Sequence, residues 1–395
     1  MSRKDIKGRV LREGETQRSD GRYQYAYMVG GKRKFLYSWT LTAKDKTPEG
    51  KRKAPSLREK EEAVQKDIFD GLAPDERTVY QLAKAYTDTR TGVRETTKTG
   101  YRTVLNFLRK DGFGARRITD VKTVDAKRWL ISLQRDQGKG YSSIHSLRGV
   151  LRPAFQMAED DDLIRKNPFS FELSAVIVND SARREALTRE QERRFLHFVR
   201  YDDHYSRYYL DFLVLFRTGL RISEYCGLTL SDLDFAGGKI RVARQLQRTP
   251  DMRYYIEDPK THCGTRFVPM TPEVKDAFRR IVAERNSPRR EREIDGVSGF
   301  LRLDKNGMPR VALHYDHYFK SATEAYNSLY KEELPKVTPH VCRHTFCTNM
   351  AKSGMNPKKL QYIMGHSDIG VTLNVYTHIG FDDVQEDMLK AAEIA

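Results

Sequence analysis

Six residues in the C-terminal half of this chain are of types that carry acid–base and phosphoryl chemistry. Tyr376 stands in LNVYTHIG, His366 ten residues upstream in IMGHSDIG, His340 and Arg343 in TPHVCRHTFC, Arg221 in RTGLRISEYCGL, and Lys260 in DPKTHCGTRFVPM. Tyr376 is one of 21 tyrosines, and beside Val375 and Leu373 an aromatic ring is ordinarily a packing residue. Its company makes it a candidate nucleophile. Tyrosine ionises near pH 10, so its anion costs roughly 4 kcal/mol at pH 7 unless neighbours share that cost. A base and guanidinium groups are therefore expected nearby. Attack on a phosphodiester builds a five-coordinate phosphorane with added negative charge on its nonbridging oxygens, and fixed cationic donors aimed at those oxygens lower the barrier. Arg221 and Arg343 fit that requirement, because a guanidinium fork makes bidentate contacts that an ammonium cannot. His340, three residues before Arg343, shares a helix face with it and can accept a proton or bond a phosphate. Glu224, one helical turn from Arg221, is expected to orient a catalytic arginine or histidine, since a carboxylate touching the phosphate would repel it.

Read together, RTGLRISEYCGL, DPKTHCGTRFVPM and TPHVCRHTFCTNMAKSGMNPKKLQYIMGHSDIGVTLNVYTH resemble the tyrosine recombinases of the phage-integrase family. The resemblance rests on an arginine in TGLRxSE, an HxxR box, a GH pair and a YxH terminus in that order. The whole-length layout is similar to the integrases of conjugative transposons. This implies that Tyr376 attacks the scissile phosphate of double-stranded DNA, leaving a 3'-phosphotyrosine and a free 5'-hydroxyl. It implies that His366 donates to a nonbridging oxygen and that Lys260, on a mobile hairpin, protonates the leaving 5'-oxygen. Bond energy stays in the phosphotyrosine link, so no cofactor, ATP or metal is expected. Paired strand exchange through a Holliday junction, a dimer to tetramer on core sites, separate arm sites and an excision or directionality factor are implied as well. Two rivals use related features: a type IB topoisomerase, against which the arm-like domain and the tail after the tyrosine argue, and a noncatalytic DNA-binding protein.

HVCRHTFC also invites a metal reading, since His340, Cys342, His344 and Cys347 are all ligand types. On a helix Cys342 points away from the other three, and neither a CxxC nor a distal ligand pair is present. Nor is there a carboxylate cluster of the kind a two-metal nuclease needs. His145, His197, His204, His314 and His317 are taken as structural, and His344 and His378 stay outside the catalytic set.

The charge agrees with a polyanionic partner: net +17 and a pI near 9.5. Most of the excess falls before residue 177, with ten basic against four acidic residues up to Lys34. A mean hydropathy of -0.70 and the lack of a long apolar run exclude a membrane-spanning helix. MSRKDIKGRV has no signal-peptide stretch, and four scattered cysteines make no disulfide framework, so a cytosolic protein is expected.

Three segments must position these residues, in a multidomain α+β fold. In residues 1–75, GRYQYAYM and RKFLYSW alternate like half-exposed strands around the turn VGGKR, and Ser56 with Glu59 caps a helix that carries Val64, Ile68 and Phe69 toward the sheet. The expected unit is a three-stranded sheet plus helix binding arm-type DNA, with Arg9, Arg12, Arg22, Lys32, Arg33 and Lys34 facing a groove. Residues 76–176 repeat helical stripes from Val79, Leu82, Ala83 and Tyr86 onward, a SAM-like core-binding bundle of four or five helices that ends near Pro168. Residues 182–395 form a mostly helical catalytic domain with a small antiparallel sheet from KIRVARQLQR, MRYYIEDPK and TRFVPM. After the tyrosine, Asp382 and Asp383 suit a helix N-terminus and Val384, Met388, Ala391 and Ala392 make a short apolar stripe, docking on its own domain or on a neighbouring protomer.

Overall fold

The computed structural model describes residues 3–29, 32–69, 76–181, 185–259, 264–285, 291–376 and 385. The chain divides into two compact units, residues 1–182 and 183–395.

In the first unit, β1 (Glu15–Gln17), β2 (Tyr23–Val29) and β3 (Lys32–Ser38) form an antiparallel sheet in that order, with Tyr23 opposite Ser38 and Met28 opposite Arg33. The period of two sends Tyr23 and Tyr25 inward, onto Leu11, Leu41 and Leu57. The Glu59 carboxylate accepts from the Ser56 backbone at 2.8 Å and opens α1 (Leu57–Phe69), which packs across β2 and β3. This helix gives Leu57 to the core, whereas Val64 is only half-buried; the side chains of Ile68 and Phe69 lie outside the described ones. So small a core is braced by ion pairs, including fully buried Glu15 with Arg58 at 3.0 Å.

A separate core spans residues 79–177 and is built from α2 (Val79–Thr89), α3 (Glu95–Lys110), α4 (Thr123–Arg135) and α5 (Tyr141–Asp160). Thr78 and Gln81 cap α2 reciprocally, and Val79, Leu82 and Ala83 are buried as their spacing predicts. Trp129 stacks on Phe113, with ring centroids 4.2 Å apart.

The second unit opens with α6 (Arg189–Tyr201), α7 (Tyr209–Thr218) and α8 (Ile222–Cys226). Every residue of α7 from Leu210 to Phe216 is buried, as befits an all-round apolar helix at a domain centre. Next come β4 (Leu233–Asp234), β5 (Lys239–Val242), β6 (Gln245–Arg248), β7 (Tyr254–Glu257), β8 (Arg266–Pro269) and α9 (Pro272–Ala283). α10 (Ala312–Leu329), α11 (Pro339–Lys352), α12 (Pro357–Met364) and α13 (Ile369–Leu373) complete the order, with α9 and α11 packed on α7.

The strands depart from the expected single sheet. KIRVARQLQR divides between β5, in the sheet β4-β5-β8, and β6, which pairs with β7. Thus β7 and β8 do not pair with each other. Lys260 itself, and residues 382–395 apart from Gln385, lie outside the described residues. No helix among the described residues is long and apolar enough to cross a membrane.

Candidate active site

Arg221 occupies the N-cap of α8 in an extended conformation. Glu224, three residues on, accepts from its backbone N at 2.9 Å and from its Nη1 at 2.8 Å. The turn before it depends on Gly219, whose φ of +63° ends α7 and whose missing Cβ would stand 2.4 Å from the Phe346 ring. The Gly219 carbonyl accepts from Arg343 Nη1 at 2.6 Å.

Arg343 comes from α11, which Thr338 caps and Pro339 begins. Its Nη2 donates to the Met364 carbonyl, Arg221 Nη2 donates to Gly365 O at 3.0 Å, and Arg266 Nε donates to Ile363 O at 2.6 Å. Three consecutive carbonyls at the C-terminus of α12 therefore each take a different arginine. Helix ends leave such carbonyls unpaired and partly negative, so guanidinium groups are the partners that suit them. Gly365, left-handed at φ +62°, turns the chain there and delivers His366. Thr372 on α13, fully buried, holds His366 by its Nδ1 at 2.9 Å.

Arg221, His340, Arg343 and His366 line one cavity of about 400 Å³, together with Ile222, Pro339, Ser367 and Val371. His340 is exposed at its edge, while Arg343 is buried. Burial, then the like charge of Arg221, pushes the Arg343 guanidinium down to about 9, still charged at pH 7. Burial followed by Arg343 and Arg221 pushes His366 down to about 4, a neutral imidazole at pH 7. Burial disfavours the Glu224 carboxylate, but Arg266, Arg221 and Arg343 outweigh it and hold the group at about 2. The cavity is thus cationic and presents one neutral ring, an arrangement that favours a phosphodiester anion.

Tyr376 does not line this cavity. Its hydroxyl donates to the Met355 carbonyl and its ring packs with Phe346, Cys347, Leu360 and Met364. Burial and the neighbouring Cys347 raise its pKa, the reverse of what a nucleophile needs. Cys342 points into the core that surrounds α7 while Cys347 belongs to the Tyr376 cluster, so the two thiols of HVCRHTFC do not converge. Among the described residues no group of three or more metal-ligating side chains comes together. His314 accepts from the Val311 backbone at 3.1 Å in the cap of α10.

The N-terminal basic residues separate into two kinds. Arg33 lies on the open face of the sheet over Phe35, and Arg22 lies over Tyr37 and Trp39. Arg9 is instead held by Asp5 at 2.8 Å, Asp45 at 2.6 Å and the Tyr23 hydroxyl at 2.9 Å. Arg12 stands 3.9 Å from Glu61, and Lys34 points to the other face and meets Glu76 at 3.1 Å. The Lys32 side chain is outside the described ones.

Several members were not anticipated. Arg266 and Thr372 surround the cavity from behind, and Arg18, Phe35, Tyr37 and Trp39 furnish the open sheet face. The alternation in RKFLYSW carried the signal for Phe35 and Tyr37, since inward Leu36 requires both neighbours to face outward.

The phage integrase family model matches residues 185–382, and a model for the DNA binding domain of Tn916 integrase matches residues 1–68. Over 389 residues the chain is 46% identical to the transposase from transposon Tn1545 of Streptococcus pneumoniae, spanning 98% of this chain and 96% of that protein. It is 45% identical to the transposase from transposon Tn916 of Enterococcus faecalis over the same shares. Among solved structures it is similar to the Tn1549 transposon integrase in complex with a circular intermediate DNA, at a TM-score of 0.76 and 43% identity, covering 80% of this chain and 99% of that one. A lambda integrase tetramer bound to a Holliday junction shares the fold at a TM-score of 0.54 and 18% identity, over 92% and 94% of the two chains.

Proposed function

This chain belongs to the phage integrase family of tyrosine recombinases, and from that premise we propose that it integrates and excises a conjugative transposon by cutting and rejoining DNA at the element's ends. The cavity in which Arg221, His340, Arg343 and His366 converge is the observation that carries this assignment. A scissile phosphate bound there meets two guanidinium forks, and His366 donates from the ring nitrogen opposite Thr372. Tyr376 leaves Met355, loses its proton to a base for which His340 at the cavity edge is the candidate, and bonds to phosphorus. The bond to the 5'-oxygen breaks, and that oxygen takes a proton from Lys260. The reverse reaction with a partner strand's 5'-hydroxyl exchanges strands through a Holliday junction.

Residues 76–176 and 182–395 grip the core site, and residues 1–75 bind arm sites through the open sheet face that holds Arg22 and Arg33. The working form is a dimer to tetramer on DNA in the cytoplasm, and an excision factor sets direction. No ATP or metal takes part.

A suicide duplex carrying the ends of the element that encodes the chain tests this. A covalent protein–DNA adduct formed in EDTA, and recombinant product with an intact partner duplex, are expected. Relaxation of supercoils without recombinant product would make the chain a topoisomerase, and absence of adduct would make it a binding protein. Lys260→Ala should cleave ordinary DNA poorly yet act well where sulfur replaces the leaving oxygen, which departs without a proton.

A further inference from the structure

We propose that Arg266 is a positioning residue for DNA cleavage, holding Glu224 from behind so that this carboxylate orients Arg221 without cancelling the charge the transition state requires. This rests on the recombinase assignment and deepens it.

Arg266 stands on β8 with its side chain fully buried. It is no part of the cavity lining and cannot touch the phosphate. Its Nη1 and Nη2 reach the two Glu224 oxygens at 3.1 and 3.0 Å, its Nε donates to Ile363 O, and Nη1 also donates to Gly264 O at 3.2 Å. The space is tight: a Cβ on Gly365 would stand 2.9 Å from Nη1. Glu224 is equally buried and touches Arg221 with the same Oε1 that Arg266 contacts. One carboxylate thus joins the arginine facing the cavity to the arginine behind it.

Charge explains why the second arginine is needed. Arg221, Arg266 and Arg343 against Glu224 leave this cluster with a net charge of about +2, where a phosphodiester carries about −1 and the phosphorane about −2. Without Arg266 the cluster falls to about +1, which suits the bound ground state and not the transition state. Arg266 also donates to the carbonyl next to those taken by Arg343 and Arg221. The cost should therefore appear in the chemical step more than in DNA affinity.

The test uses the full chain on the same suicide duplex, with the scissile phosphate either natural or replaced by a methylphosphonate, whose transition state carries one negative charge fewer. Arg266→Met should slow adduct formation on the natural phosphate by about tenfold or more with core-site affinity unchanged, and on the methylphosphonate by less than about threefold. Arg266→Met combined with Glu224→Gln returns the cluster to about +2 and buries no unpaired charge, so it should recover much of the lost rate. Should Arg266→Met fail to fold, the double variant decides: a preference between the two substrates like that of the wild type supports the proposal, and a lost preference overturns it. Equal slowing on both substrates, or a double variant no faster than Arg266→Met, likewise overturns the role of Arg266. Absence of adduct with the wild-type chain would overturn the recombinase assignment itself and this inference with it.

Discussion

Tyr376 donates its hydroxyl to the backbone carbonyl of Met355, in the turn between α11 and α12, and not to any group of the arginine-lined cavity. In this resting arrangement the ring sits in an apolar cluster and burial keeps the phenol protonated. Activation therefore has two physical parts. The hydroxyl must leave a good acceptor, and it must arrive where Arg221 and Arg343 lower the energy of its anion.

Tyr376→Phe keeps the ring in its cluster and removes the nucleophile. Core-site affinity should stay within about twofold and adduct should vanish, while the unpaired Met355 carbonyl lowers stability by about 1 kcal/mol. Gel analysis of suicide-substrate reactions and a thermal melt read the two effects. Adduct formed by this variant would move attention to Tyr362, which is half exposed and whose hydroxyl accepts from the Phe267 backbone at 3.2 Å.

Thr372 Oγ1 and His366 Nδ1 share a hydrogen bond of 2.9 Å; with the hydroxyl as its donor, the imidazole hydrogen sits on Nε2, the nitrogen that would meet a phosphate oxygen. Thr372→Val should slow cleavage by about tenfold at constant DNA affinity, and Thr372→Ser should restore most of it. Nitrogen NMR of the imidazole would register the tautomer directly; an unchanged tautomer in the valine variant would refute the role.

Acid should weaken the DNA-free chain in two steps. The folded pKa of His366, about 4, lies below its ordinary 6.5, and that of Glu224, about 2, below its ordinary 4.5. Both groups bind protons more readily when unfolded, so their stabilisation is complete above pH 6.5. The His366 share is lost as pH falls from 6.5 to about 4, and the Glu224 share from 4.5 to about 2. His366→Gln should flatten the first step and spare the second, as urea unfolding across pH would reveal. Phosphate opposes the charge of Arg221 and Arg343 on the ring, so core DNA should bind more tightly as pH drops through the first window.

On the N-terminal sheet, Arg33→Ala should weaken arm-site binding and reduce the slope of log affinity against log salt by about 0.9, the signature of one lost phosphate contact. Arg9→Ala should act differently. It strips Asp5, Asp45 and Tyr23 of a shared partner, so it should lower the melting temperature before it changes the salt slope. A salt slope altered by Arg9→Ala at unchanged stability would show that this arginine faces DNA after all.

Arg221, His340 and Arg343 were legible as candidates because phosphate chemistry calls for their types at that spacing, and His366 through the resemblance of MGHSD to a known family; Arg221 caps α8, His340 lies in the first turn of α11 with Arg343 one turn on, and His366 follows the Gly365 turn. Ser56 with Glu59 and Thr78 with Gln81 are legible because caps are satisfied within a few residues. The strand RFVP shows where this stops. Apolarity alone turns Phe267 inward and Arg266 outward, yet Phe267 is 46% exposed and Arg266 only 2%. The inward site is decided by Glu224, 42 residues away, and by Ile363, 97 residues away, which add the carboxylate and a helix-end carbonyl to the one nearby acceptor, the Gly264 carbonyl. Arg9 likewise meets Asp45, 36 residues away, and Tyr376 meets Met355 and no group of the cavity. The sequence by itself determined the chemistry and the helices and strands that bear it, because those follow from residue type and period. Only the tertiary structure decided which charges are spent inside the protein, because burial and distant partners set the energy of every charged group.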